Sequence, residues 1–166
     1  MRWPPLPWRR PPFPVGPGER LLAWAQVRQP DGGPPLVGGT RDALYLPARV
    51  PWEQVASADW DQEESTLRVV EVGRFGEPSP VHLLHLDDAG RLLQLVRERV
   101  TASIAVQRHV AVSGRRSVRI LARRAPGSRA ELAWFVEYDD GLDPADPRVD
   151  AVVQEALATA RADVEV

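Results

Sequence analysis

The stretch VHLLHLDDAGRLLQLVRERVTASI, residues 81–104, changes its period partway along. Val81 to Leu86 reads as a short strand, closed by Asp87 and Asp88. After that pair, Leu92, Leu93, Val96, Val100 and Ile104 fall at helical spacing on one stripe, while Arg91, Gln94, Arg97, Glu98 and Arg99 lie mostly outside it. Either aspartate can cap such a helix, because its carboxylate accepts from the free amides of the first turn. The reading is a strand followed by an amphipathic helix whose apolar stripe covers the open mouth of a sheet.

Upstream, strand and turn signals recur about every ten residues. Leu21 to Val27 is a strand that stops at Gln29-Pro30-Asp31-Gly32-Gly33, and Leu36 to Gly39 and Leu44 to Leu46 are the next pieces. Between them, Thr40-Arg41-Asp42 forms a tight turn in which Thr and Asp can bond nearby amides. Trp52 to Trp60 alternates Val55, Ser57 and Asp59 with Ala56, Ala58 and Trp60. A polar hairpin loop at Gln62 to Ser65 leads to a strand at Leu67 to Val72. Such a series argues for an antiparallel sheet or small barrel.

Thr40-Arg41-Asp42 followed by Leu44, then Arg49-Val50-Pro51-Trp52-Glu53-Gln54-Val55, then a hairpin, a strand and a closing helix resemble the bacterial pleckstrin-homology-like (PH-like, GRAM-type) pattern over residues 19–104. The whole chain also resembles proteins of high-GC actinobacteria. The PH-like resemblance implies a bent antiparallel sheet or split barrel capped by a C-terminal helix, with sixty-odd residues following that helix as a departure from the pattern.

Those residues, 105–166, read as a second unit of β-β-β-α form. Its strands fall near Val106 to Val112, Val118 to Arg123 and Leu132 to Tyr138, and its helix runs from about Pro147 to Ala162. Asp146 is placed as N-cap with Pro147 at the first helical position and Asp150 in the first turn. Val149, Val152, Val153, Ala156, Leu157, Ala160 and Val164 form one apolar face. The expected class is therefore α+β, with a tail at 1–18, a PH-like unit at 19–104 and a β-β-β-α unit at 105–166.

Residue types missing from the chain exclude whole chemistries. It has no cysteine, which removes disulfides, thiolate nucleophiles and zinc–thiolate sites. All 21 basic residues are arginine, which removes the P-loop and Schiff-base lysines. Asparagine is absent too, and a GC-rich coding bias explains both replacements most simply. No apolar run approaches the ~18 residues of a membrane span, and the N-terminus lacks the pattern of a secretory signal, so the cytoplasm is the expected location.

No catalytic constellation emerges, and neither a cofactor nor a metal is expected. His82 and His85 point to opposite faces of one strand, and His109 has no nucleophile elbow to serve. Asp139, Asp140, Asp143 and Asp146 lack the order and closing glutamate of an EF-hand and read more simply as helix-capping acids. Asp59 and Asp61 share a strand face, a pair open to acid–base work or to plain solvation.

Charge is segregated. From Ala105 to Ala130 there are seven arginines and no acid, whereas Glu131 to Val166 holds two arginines against ten acids. Arg119 and Arg123 share one strand face, so with Arg115, Arg116 and Arg124 they form a candidate partner or anion patch. These guanidiniums either pair with the acids of the adjoining strand and helix, or meet a protein partner, or meet nucleic acid or anionic lipid; net charge −2 speaks against the last.

Residues 1–18 hold seven of the seventeen prolines, three arginines and no acid, a polyproline-type composition. Pro4, Pro7 and Arg9 fit the spacing of a proline-rich ligand, and Trp3, Trp8 and Phe13 can pack on a groove or on the body of the protein itself. The expected activity is non-enzymatic binding or scaffolding through an unidentified protein partner or self-association.

Overall fold

The computed structural model describes residues 13–28, 35–74 and 77–165. Trp3, Pro4, Pro7, Trp8 and Arg9, the candidate tail contacts, lie outside the described residues. The architecture is α+β, with three antiparallel sheets and two helices, and no barrel closes among the described residues. The chain divides into two compact units, one ending at Val100 and the other starting at Thr101.

In the first unit, β1 (Ala23–Gln26), β2 (Leu36–Gly39), β3 (Ala43–Tyr45) and β4 (Arg49–Pro51) form a four-stranded sheet in sequence order. Thr40 makes the β2–β3 turn, its Oγ1 accepting from the amides of Asp42 at 3.2 Å and Ala43 at 3.1 Å. A second sheet holds β5 (Val55–Asp61), β6 (Thr66–Glu71) and β7 (Val81–His85). The two sheets touch at one corner, where Val27 bridges Leu86 and the Arg28 amide donates to the His85 carbonyl at 2.8 Å.

The strand expected from Trp52 begins only at Val55, because Trp52–Gln54 winds into a 3-10 turn. That turn drops the Trp52 indole into the core at 0% exposure, with Nε1 donating to the Thr40 carbonyl at 3.0 Å. A bulge between Val55 and Ser57 then shifts the alternation by one residue. Val55 therefore joins Ala58 and Trp60 on the core side, where simple alternation had placed it opposite them.

Helix α1 (Leu92–Ser103) buries Leu92, Leu95 and Val96 against this core, with Leu93 and Val100 packed alongside. Asp88 does not cap it; its Oδ1 accepts from the Gly90 amide at 3.1 Å in a local turn, and Gly90 supplies a positive φ of 48°. Ile104, expected on the helical stripe, is the first residue of the next strand.

The second unit pairs β8 (Ile104–Ser113), β9 (Arg116–Arg123) and β10 (Ala133–Tyr138) around a central β9, with helix α2 (Pro147–Val164) following. Asp146 caps α2 as its sequence dictates, Oδ1 accepting from the Arg148 amide at 2.9 Å with Pro147 next. Val149 and Val153 of α2 pack with Val118 of β9 in a core joined by Val110, Val136, Tyr138 and Leu157. The apolar stripe outruns its sheet: Val164 stays 45% exposed.

Trp52→Phe keeps a ring in the core but removes the donor to Thr40, leaving a buried carbonyl without its partner. A loss of about 1–3 kcal/mol is expected, and Trp52→Ala should lose about 3–5 kcal/mol. Urea denaturation followed by far-ultraviolet circular dichroism checks both values.

Candidate functional site

Several arginines of the second unit are engaged inside it. Arg119 is the ladder partner of Glu137, and its Nε donates to Glu137 Oε2 at 2.8 Å, with Nη2 closing on the same oxygen. Arg116 Nη1 reaches the Gly141 carbonyl at 3.2 Å, and Arg108 pairs with Asp163 of α2 at 2.6 Å. Arg123 shares the Arg119 face as the strand period requires, yet it is 3% exposed, and its Nη1 donates to Ser103 Oγ at 3.2 Å. Burial pulls its guanidinium below its ordinary pKa. Arg115 stands exposed in the β8–β9 turn, and Arg124 lines a recess with Trp134 and Arg161, whose guanidinium lies 5.9 Å from the Trp134 ring centre. The five candidate arginines thus divide among an ion pair, a carbonyl contact, a buried site, a turn and a recess.

The other candidates resolve similarly. His82 Nε2 meets Glu71 Oε1 at 2.6 Å and His85 Nδ1 meets Thr66 Oγ1 at 2.8 Å, two separate contacts on opposite strand faces. Asp139 accepts from the Ser117 amide and hydroxyl at 2.7 and 2.9 Å, which hold its pKa below the ordinary value. Asp143 accepts from the Ala145 amide at 2.9 Å. These acids serve backbone amides, and among the described residues no group of three His, Asp or Glu is gathered to hold a metal ion.

Two features of the first unit are missed by sequence reasoning. One is a carboxylate cluster that straps the segment before β1 across the four-stranded sheet. Glu19 accepts a forked pair from Arg49, Nε at 3.0 Å and Nη2 at 3.1 Å, together with the Thr40 hydroxyl at 2.9 Å and the Tyr45 hydroxyl. Arg49 first, then the two hydroxyls, hold the Glu19 pKa down to about 2 against the opposing effect of burial. Burial, with the Glu19 contact next, pushes the Tyr45 phenol up. Tyr45 Oη in turn accepts from the Gly16 amide at 2.7 Å, and Phe13 lies 6.0 Å from its ring.

The second feature is the outer face of β5–β7. Register sets Asp59, Arg68 and Leu83 in one cross-strand row, with Ser57, Val70 and Val81 in the next row on the same side. Val81 and Leu83 are 48% and 61% exposed. Leu83 borders an open groove of about 1010 Å³ whose rim carries Asp59, Asp61, Glu63 and Glu64, with Arg68 as the cation opposite. A second apolar pair, Leu22 just before β1 and Trp24 within it, is 47% exposed at each position.

Fold and surface together define an α+β protein of antiparallel sheets with an acid-rimmed apolar strand face. No family model, curated protein or solved structure matches the chain. Among the described residues, no helix is long and apolar enough to cross a membrane.

Glu19 gives a pH prediction. Its folded pKa of about 2 lies below the unfolded carboxylate value of about 4.3. The cluster therefore stabilises the fold fully above that unfolded value, and the contribution is lost as pH falls through about 2. In thermal melts across this range, Glu19→Gln should have a lower midpoint at pH 7 and a shallower decline on acidification than the parent; parallel curves would contradict the assignment.

Proposed function

We propose that this chain is a non-catalytic, cytoplasmic binding or scaffolding protein whose first unit is PH-like and docks a protein partner on the outer face of β5–β7. The PH-like assignment is supported by strand order: four antiparallel strands, then three, then a helix, in the region that carries Thr40-Arg41-Asp42 and Arg49 to Val55. The observation that carries the docking reading is the exposure of Val81 and Leu83 side by side on a sheet face bordered by acids. Single exposed apolar residues are ordinary, but a contiguous pair in a polar rim is the pattern of a contact surface. In the second unit, Arg108, Arg116 and Arg119 are taken up by its own acids and a carbonyl.

A photocrosslinking residue placed at position 83 tests this reading, with one at the exposed Glu155 as control. The expected result is a discrete adduct at 83 in cells, absent at 155, and reduced at least tenfold when Asp59 and Glu63 are both changed to Arg in a chain whose circular dichroism is unaltered. Identical adducts at 83 and 155 would remove the basis for the docking surface.

A further inference from the structure

In the second unit the apolar layer between helix and sheet runs out before the helix does. Val149, Val153 and Leu157 of α2 pack with Val118, Val136 and Tyr138. Trp134 lies two residues before Val136 on the same face of β10, yet it is only half-buried, and Val164 at the far end of α2 is 45% exposed. At that end of the core lies an open recess of about 670 Å³ whose apolar lining is Leu132, Trp134 and Val164.

Two arginines reach the recess from different elements. Arg124 directly follows β9, is half-buried, and has its amide tied to the Ser103 carbonyl at 3.0 Å. Arg161 sits one helical turn before Val164 on the same face of α2, and its guanidinium is held 5.9 Å from the Trp134 ring centre. Glu131 and Glu165 stand exposed on the rim. Among the described residues neither guanidinium closes an ion pair, with these acids or with any other. Arg124 and Arg161 therefore keep open forks beside apolar surface, unlike Arg108, Arg116 and Arg119 of the same unit.

A guanidinium fork matches the two planar oxygens of a carboxylate, and an apolar floor takes a hydrocarbon body out of water. The rim acids set the charge. Glu131 and Glu165 repel a second negative charge, so a singly charged head is accepted where a phosphate dianion is penalised. We propose that this recess is a binding site for a small monocarboxylate with an apolar body, of the medium-chain or arylalkyl class. Arg124 and Arg161 take its head, and Leu132, Trp134 and Val164 take its body. The site belongs to the second unit alone and stands or falls independently of the docking face of β5–β7.

The test uses the full chain, isotope-labelled, with decanoate below its micelle concentration as the probe. Trp134→Phe identifies the Trp134 indole resonance among those of the six tryptophans. Decanoate should shift that resonance and the Val164 methyls in a saturable way. Decanol, with the same body and no charge, should bind at least tenfold more weakly. Decyl phosphate should bind at least threefold more weakly than decanoate at about pH 8, above the second phosphate pKa of about 6. Arg124→Gln with Arg161→Gln should weaken decanoate at least tenfold, and Arg124→Gln alone should weaken it at least threefold in a chain whose circular dichroism is unaltered. Arg115→Gln should leave it unchanged, and Glu131→Gln with Glu165→Gln should close the gap between decyl phosphate and decanoate.

Equal affinity for decanol and decanoate, or decanoate affinity unchanged by Arg124→Gln, would overturn the proposal. So would shifts centred on residues outside the recess, or an indole resonance that millimolar decanoate leaves unmoved. Tighter binding of decyl phosphate than of decanoate would overturn the assignment of a singly charged head.

Discussion

The first unit depends on two adjacent glycines, Gly38 and Gly39, at the end of β2. Added at Gly39, a β-carbon would lie 2.8 Å from Leu95 of α1 and 3.1 Å from Trp52; at Gly38 it would lie 2.5 Å from Phe13 and 2.8 Å from Leu21. The approaches to Leu95, Phe13 and Leu21 are closer than real β-carbons essentially ever come, so β2 is thin on both sides at this glycine pair. On the inner side this lets Trp52 settle close enough to donate to the Thr40 carbonyl while α1 closes over it. On the outer side it lets the segment from Phe13 to Leu22 lie on the sheet, which brings Glu19 to Thr40, Tyr45 and Arg49. Glycine in a strand costs roughly 0.5–1 kcal/mol relative to alanine, and here the close packing on both faces offsets that cost.

Charge is handled differently in the two units. In the second, the sign segregation along the sequence folds into matched pairs: Arg119 against Glu137 in ladder register, and Arg108 against Asp163 of α2. Half-exposed pairs of this kind contribute roughly 0–1 kcal/mol each, so they fix register more than they stabilise. In the first unit Glu19 is enclosed by four donors of three residues, whereas Asp59, Asp61, Glu63 and Glu64 of the β5–β6 hairpin are exposed beside Leu83. Opposite charges therefore meet across the ladder and against α2 in one unit, while like charges gather at one face of the other.

What was legible in the sequence follows the range of the interactions. The α2 start is encoded within five residues by Asp146, Pro147 and Asp150, and the Thr40 turn within four, so both read directly. The antiparallel α+β class follows from the spacing of strand and turn signals. The 3-10 turn at Trp52 and the bulge after Val55 were not legible, because alternation looks unbroken there and only the demand of the core for Trp52 and Val55 breaks it. Ile104 fits a helical stripe and a strand start equally well, and pairing with Arg123 of β9 decides for the strand. Glu19 and its partners are separated by 21 to 30 residues, beyond any local pattern, although two adjacent glycines within a strand are a signal of close approach on both faces.

The arginine row shows why alternation alone does not assign exposure. Arg119 and Arg123 do share a face of β9, but the residue between them on that face is Leu121, which is 2% exposed. An apolar residue flanked by two arginines at period two is the mark of a covered strip, since arginine can lay its aliphatic stem along apolar surface and still satisfy its fork at the margin. Arg119 does so with Glu137, and Arg123 finds Ser103 Oγ inside. A phosphate or carboxylate seeking these guanidiniums must displace Glu137 and open a buried contact, whereas a cation approaching the β5–β6 hairpin meets carboxylates already facing water. The charged rim that the fold leaves facing water beside exposed Leu83 is therefore acidic, even though the densest run of one sign in the sequence is basic.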